Sequence, residues 1–258
     1  IPFQGYLSFD MNNYLGIVHT RTYYANPDRK LRRPIIICDG FDPGNRRRFE
    51  MTQADSSDIQ VWRPGGIWGL LSYVYNGDTI HIGEDLISKG YDLVIVDFDD
   101  GADYIERNGL AMMEVINRCN KELQKNGSNE QLVVVGPSMG GQITRYALSY
   151  MEKNPTSPFT NYGFHNVRLW ISFDSPHQGA NITYGAQAFV KYLGENRTSM
   201  KDLYDRKLGK AAAAWQQLRY HIEGNSTAFN TYYNNINTLG FPTNLRKIAI
   251  TNGRLDGT

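Results

Sequence analysis

The chain has 258 residues, 41% of them hydrophobic and 21% charged. That length suits one α/β domain, or a core with a modest cap, and the apolar share excludes a disordered chain. A formal net charge of +1 offers no electrostatic case for nucleic acid, and no apolar run is long enough to span a bilayer.

Residues 6–10 and 17–24 read as two strands joined by a polar, Asn-rich turn. Residues 34–38, closed by Asp39-Gly40, form a short apolar run expected as a central strand. Arg46, Arg47 and Arg48 make a basic run without aromatic interleaving, expected as a solvated loop. Gly65 and Gly66, between Trp62 and Trp68, suggest an aromatic loop along a substrate groove. The pattern then predicts a helix over 80–89, broken by Gly90, and a strand over 91–98. A polar loop at 99–103 follows. In it Asp99, Asp100 and Asp103, with Asp97 before them, form an acidic cluster expected as a polar loop or helix cap, with a cation site as the alternative. Residues 104–125 carry Leu110, Met113, Ile116 and Leu123 near helical spacing. Residues 131–135 are again an apolar strand, 142–153 a helix, 167–173 a strand, and 245–251 the last strand. Strands alternating with helices in this way predict an α/β fold with a mostly parallel sheet covered on both faces.

The stretch 185–240 interrupts that alternation. It holds a helix-forming block at 210–220 and then Phe229, Tyr232, Tyr233 and Phe241 nearby. We read 1–184 as the core, 185–240 as a cap or lid insertion and 241–258 as the return to the core. Cys38 and Cys119 read as two buried thiols. Asn-x-Ser/Thr triplets begin at Asn126, Asn181, Asn196 and Asn225. Such triplets arise by chance in an Asn-rich chain; the many Tyr and Asn residues with few charges fit a secreted or periplasmic protein, and a first residue other than Met is compatible with that.

The decisive stretch is LVVVGPSMGGQ, residues 132–142. A buried strand leads in and an amphipathic helix leads out. Between them stands G-x-S-x-G, at Gly136, Ser138 and Gly140, the context in which that motif forms a nucleophile elbow. So tight a turn strains the serine and needs glycines beside it. The helix that follows points backbone N–H groups at the same space, so the Met139 N–H is a candidate oxyanion donor.

The segment from Gly136 to Gly141, followed by Arg145-Tyr146-Ala147, resembles the nucleophile elbow of α/β-hydrolase lipases and esterases. Ser175-Pro176-His177-Gln178-Gly179 is similar to the Pro-His-x-Gly segment of many bacterial lipases, where the histidine is structural. The resemblance implies an α/β-hydrolase fold with helices on both faces of the sheet. It also implies a serine hydrolase that cleaves carboxyl esters through an acyl-enzyme. The family places an HG-type motif after its third strand. Here Cys38-Asp39-Gly40-Phe41 stands there, with Asp39 replacing the histidine, and Phe41 would supply the second backbone donor.

A serine needs a histidine base and a carboxylate to orient it, in the chain order serine, acid, histidine in this fold. Asp174, after the strand 167–173, and Asp256, after the strand 245–251, are both candidates for the acid, with Asp174 favoured. The five histidines are His19, His81, His165, His177 and His221, and none follows Asp256. We expect that the C-terminal end of the fold is missing and that a separate C-terminal segment supplies the base. His177 and His221 are the substitutes within the chain.

No cofactor and no metal are expected. The expected partner is a small-molecule or lipid ester, with no nucleic acid and no membrane span. An amidase or peptidase on the same scaffold, and a catalytically inactive binding protein that keeps the fold, are the alternatives.

Overall fold

The computed structural model describes residues 2–4, 14–45, 66–155, 164–197, 201, 211–224 and 226–252. A seven-stranded sheet forms its centre. It comprises β1 (Pro2–Gln4), β2 (Ile17–Tyr23), β3 (Pro34–Cys38), β6 (Asp92–Phe98), β7 (Leu132–Pro137), β8 (Val167–Phe173) and β9 (Arg246–Ile250), in the order β1-β2-β6-β3-β7-β8-β9. β1 and β2 pair antiparallel, as do β2 and β6; every other pairing is parallel. The expected strand at 6–10 and the basic run at 46–48 lie outside the described residues.

Side-chain alternation explains why the central strands are apolar throughout. Ile36, Cys38, Val94, Val96, Leu132 and Val134 point to one face, and Ile35, Ile37, Leu93, Ile95 and Val133 to the other. The first face is covered by α3 (Ile105–Lys125) and α4 (Met139–Lys153), which bury Met112, Met113, Ile116, Ile143 and Leu148 against it. The second is covered by α1 (Gly66–Leu70) and α2 (Ile82–Ser88), through Ile67, Trp68, Leu86 and Ile87. Trp68 therefore packs inward, edge-on to Tyr23 at 4.9 Å, instead of lining a groove. Both cysteines are free and buried. Burial pushes the Cys119 thiol up to about 12, and burial also raises that of Cys38.

The expected helix over 80–89 begins later, at Ile82. Asp78–His81 is a strand, β5, which pairs antiparallel with β4 (Ser72–Tyr75) as a separate hairpin. Its two-residue connection is Asn76-Gly77, with φ of +52° and +88°, the left-handed pair that suits a hairpin turn. Between β8 and β9 the chain forms α5 (Tyr184–Asn196), α6 (Ala212–Gln217) and α7 (Thr227–Leu239). α6 is shorter than the block read at 210–220. Leu218 turns extended at its end, with φ −84° and ψ 109°.

Candidate active site

The carboxyl ends of β3, β7 and β8 meet where the strand order reverses around β3, the place where open α/β sheets bind ligands. Ser138 follows β7 directly and has φ +53° and ψ −132°, a backbone state that non-glycine residues avoid. Neighbouring backbone holds it there. Its N–H donates to Phe173 O at 2.8 Å, and its own carbonyl accepts from Gly141 N at 3.1 Å. A Cβ at Gly136 would lie 2.5 Å from Thr144 Oγ1 and 2.6 Å from Gly140 O; one at Gly140 would lie 2.6 Å from Asp39 O. The turn closes only because both side chains are absent. Thr144 Oγ1, which donates to Gly140 O, accepts from Trp170 Nε1 of β8 at 2.9 Å, and Ser175 Oγ donates to Gly136 O.

The loop after β3 lies against this elbow. A Cβ at Gly40 would stand 3.3 Å from Ser138 Cβ and 3.6 Å from Met139 N. Asp39 Oδ1 accepts from Gly40 N at 2.7 Å, and Asp42 N donates to Gly101 O. Phe41 lies between them, and it lines a cavity together with Ser138.

That cavity has a volume of ≈ 400 Å³. Phe41 and Pro176 wall it from the sheet side; Ile182, Val190, Leu218 and Ile222 wall it from the segment between β8 and β9. Three hydrogen bonds tie that segment to the elbow's surroundings. Gln142 Nε2 donates to Pro176 O at 2.8 Å and to Tyr233 Oη at 2.7 Å, and Tyr233 Oη donates to Pro176 O. Burial pushes the Tyr233 phenol up to about 12, so it remains a donor. A second tie lies deeper. Gln216 Nε2 donates to Glu106 Oε2 at 2.6 Å while Ile105 N donates to Gln216 Oε1. Burial raises the Glu106 carboxyl.

Asp174 stands at the carboxyl end of β8, beside β7. It is exposed and has φ +48°. Its N–H donates to Ile250 O, and its carboxylate accepts from Asn252 N and Asn252 Nδ2, each at 3.3 Å. Asp256 lies outside the described residues.

All five histidines are described, and each has an environment of its own. His177 Nε2 lies 2.7 Å from Ser172 Oγ, and the ring packs edge-on to Trp170 and Phe241. Burial, with Arg145 nearby, lowers it to about 4. His221 lines the cavity and stacks on Trp215 at 3.6 Å, and its Nδ1 accepts from Glu223 N. An Nδ1 that accepts leaves the proton on Nε2, so the ring presents a donor and no free base. Burial lowers it as well. His165 sits at the amino end of β8, where its Nδ1 accepts from Val167 N and its Nε2 donates to Glu152. His19 pairs with Asp99 at 3.4 Å, and His81 lies 3.1 Å from Ser72 in the hairpin. Among the described residues, no histidine hydrogen-bonds Ser138.

The acidic cluster divides. Asp99 meets His19, Asp100 accepts from Ala102 N, and Asp103 pairs with Arg107 at the start of α3. Asp97 instead turns inward, and its ligand atom lies within 4.8 Å of those of buried Asp39 and Asp42. Among the described residues this trio is the one group with the spacing of a metal site. No sequence spacing pointed to it, because three separate segments contribute.

The strand order, the covered parallel sheet and the strained serine between β7 and α4 define an α/β-hydrolase fold. The resemblance read from the elbow has a counterpart in the comparisons. Residues 101–204, which contain the elbow, match the family model described as "Putative serine esterase (DUF676)". No curated protein matches the chain. Among solved structures it is similar to the Bacillus licheniformis lipase BlEst2 in mature form (TM-score 0.45, 13% identity, 90% of this chain and 70% of that one). It is also similar to Candida Antarctica lipase A (TM-score 0.44, 15% identity, 82% of this chain and 47% of that one). An esterase from Exiguobacterium antarcticum aligns with TM-score 0.34 and 16% identity, over 72% of this chain and 55% of that one.

Proposed function

We propose that the chain is a serine hydrolase that cleaves carboxyl esters, with Ser138 as nucleophile. One observation carries this reading: a serine in a strained strand-to-helix turn borders an apolar cavity. Ser138 Oγ would attack the acyl carbon as its proton passes to a base. The tetrahedral oxyanion would be held by the backbone N–H groups of Met139 and Phe41. Collapse would break the bond to the alcohol oxygen, which takes the proton, and water would repeat the attack to release the acid. A Cβ at residue 40 would stand 3.3 Å from both Pro137 O and Ser138 Cβ, so glycine there keeps the loop close against the elbow without crowding it.

Asp174 is the acid we favour, because it ends the strand next to the nucleophile strand and its carboxylate is oriented by Asn252. For the base we propose a residue on a further segment that adds to β9, which among the described residues pairs within the main sheet only with β8. The residues 185–240 act as a cap, supplying the cavity walls opposite Ser138.

The test is hydrolysis of short-chain aryl esters by the parent and by Ser138→Ala. Loss of activity by about 10⁴-fold or more in a folded variant is expected. Equal rates would sink the reading. The histidine geometry supports a second reading, a binding protein that keeps the fold. It predicts a parent that binds esters in the cavity and turns none over.

A further inference from the structure

Apart from Ser138 itself, the cavity is apolar except where the cap places polar side chains in its wall. Three buried glutamines lie in the cap, and they differ in what their carboxamides do. Gln216 is spent on Ile105 N and Glu106. Gln187 lines the cavity, but its Nε2 donates to Ile182 O and Tyr220 O, and its Oε1 accepts from Ile222 N. Gln217 also lines the cavity and is 7% exposed, yet its carboxamide has no hydrogen-bond partner among the described residues. Its backbone carbonyl accepts from Ala180 N. His221, 6% exposed in the same wall, has its tautomer set by Glu223 N, so its Nε2–H is a second unspent donor.

Two neutral polar heads in an apolar wall select a ligand by exclusion. A plain hydrocarbon arm would displace water from both and leave them unpaired, which disfavours its binding. A carbohydrate-like ligand would lose its own hydration against the aliphatic walls. A hydroxyl on an otherwise apolar arm satisfies both demands, because it donates to Gln217 Oε1 and accepts from an N–H of Gln217 or His221.

We propose that this cavity binds esters whose apolar arm carries a hydroxyl group, with Gln217 as the specificity-determining residue and His221 as its auxiliary donor. The proposal rests on the ester-hydrolase reading for its chemistry, but the binding preference can be measured without turnover.

The probes are methyl octanoate and a set of methyl hydroxyoctanoates differing in hydroxyl position, titrated calorimetrically into Ser138→Ala. At least one hydroxylated isomer should bind about tenfold more tightly than the plain ester. Gln217→Leu in the same background should abolish that preference, and Gln217→Met serves if the leucine variant does not fold. In uniformly ¹⁵N-labelled protein, the Gln217 side-chain amide signal should shift with the preferred isomer and not with methyl octanoate. No isomer outcompeting methyl octanoate, or a preference that survives loss of the carboxamide, overturns the proposal. A parent active on aryl esters without any hydroxyl preference sinks this inference alone. A hydroxyl preference in a parent that hydrolyses nothing sinks the hydrolase reading alone.

Discussion

The elbow and the segment between β8 and β9 build the two sides of one cavity by different means. At the elbow, backbone constrains backbone: Gly136 and Gly140 are required because carbonyl oxygens and main-chain atoms occupy the space their side chains would need. In the cap, long side chains do the holding. Gln187 closes one turn of chain with three hydrogen bonds, and Gln216 and Tyr233 attach the cap to the core beneath. The first arrangement fails globally when one atom is added. The second can open locally while the core stays folded.

The sharpest way to break this comparison is Gly136→Ala. The added methyl meets Thr144 Oγ1 at 2.5 Å and Gly141 Cα at 2.6 Å, and overpacking of that kind should cost about 3 kcal/mol. A urea midpoint equal to the parent's would show that the elbow is not constrained as described. His177 sets the next effect in size. Half-buried and neutral, with a folded value of about 4 against an ordinary 6.5, it contributes stability that is fully present above pH 6.5. That stability is lost as pH falls toward 4, because the unfolded chain takes the proton first. The shift corresponds to about 3 kcal/mol at its acid limit. His165 and His221 are lowered too, so the reading is the difference between parent and His177→Gln. The variant should lose less stability between pH 7 and pH 4.5.

Gln187→Leu probes the cap side. It leaves two carbonyls and the Ile222 N–H without partners, and should cost about 2 kcal/mol. We expect faster amide exchange at Ile222 with little change in the core strands; uniform acceleration everywhere would merge the two regions into one cooperative unit. The smallest effect has the opposite sign. Ser138→Gly removes the strain of φ +53° at the expense of a more flexible unfolded chain, for a net gain of about 1 kcal/mol. It should melt higher than the parent while losing hydrolysis.

The same contrast explains what could be read in advance. The central strands and the elbow were legible because their demands fall on adjacent residues: the apolar run of β7, then glycine, serine and glycine at fixed spacing. β8, at Val167–Phe173, has the bounds its pattern predicts. The hairpin was legible in principle, since Asn76-Gly77 marks a tight turn between β-prone residues, but the apolar spacing of 80–89 resembles a helix more. The polar wall of the cavity was not legible. Gln216 and Gln217 are adjacent and alike, and only the turn at Leu218 and the position of Glu106, 110 residues away, decide which one is spent. The grouping of Asp97 with Asp39 and Asp42 was hidden for the same reason.

One helix gives the cap its frame. Gln142, near the start of α4, holds Pro176 where the chain leaves β8. Glu152, near its end, accepts from Thr243 N, Thr243 Oγ1 and Asn244 N where the chain returns toward β9. Departure and return are thus both referenced to the helix that carries Ser138 at its head. Between those two clasps, Phe229, Tyr232, Tyr233 and Ile236 belong to the main core, whereas Ile182, Val190, Leu218 and Ile222 face the cavity. Changes confined to the cavity-facing side chains would leave Ser138 in the same orientation, because its turn is held by β7, β8 and α4. Selectivity could then diversify along that wall while the reacting atom stays where it is.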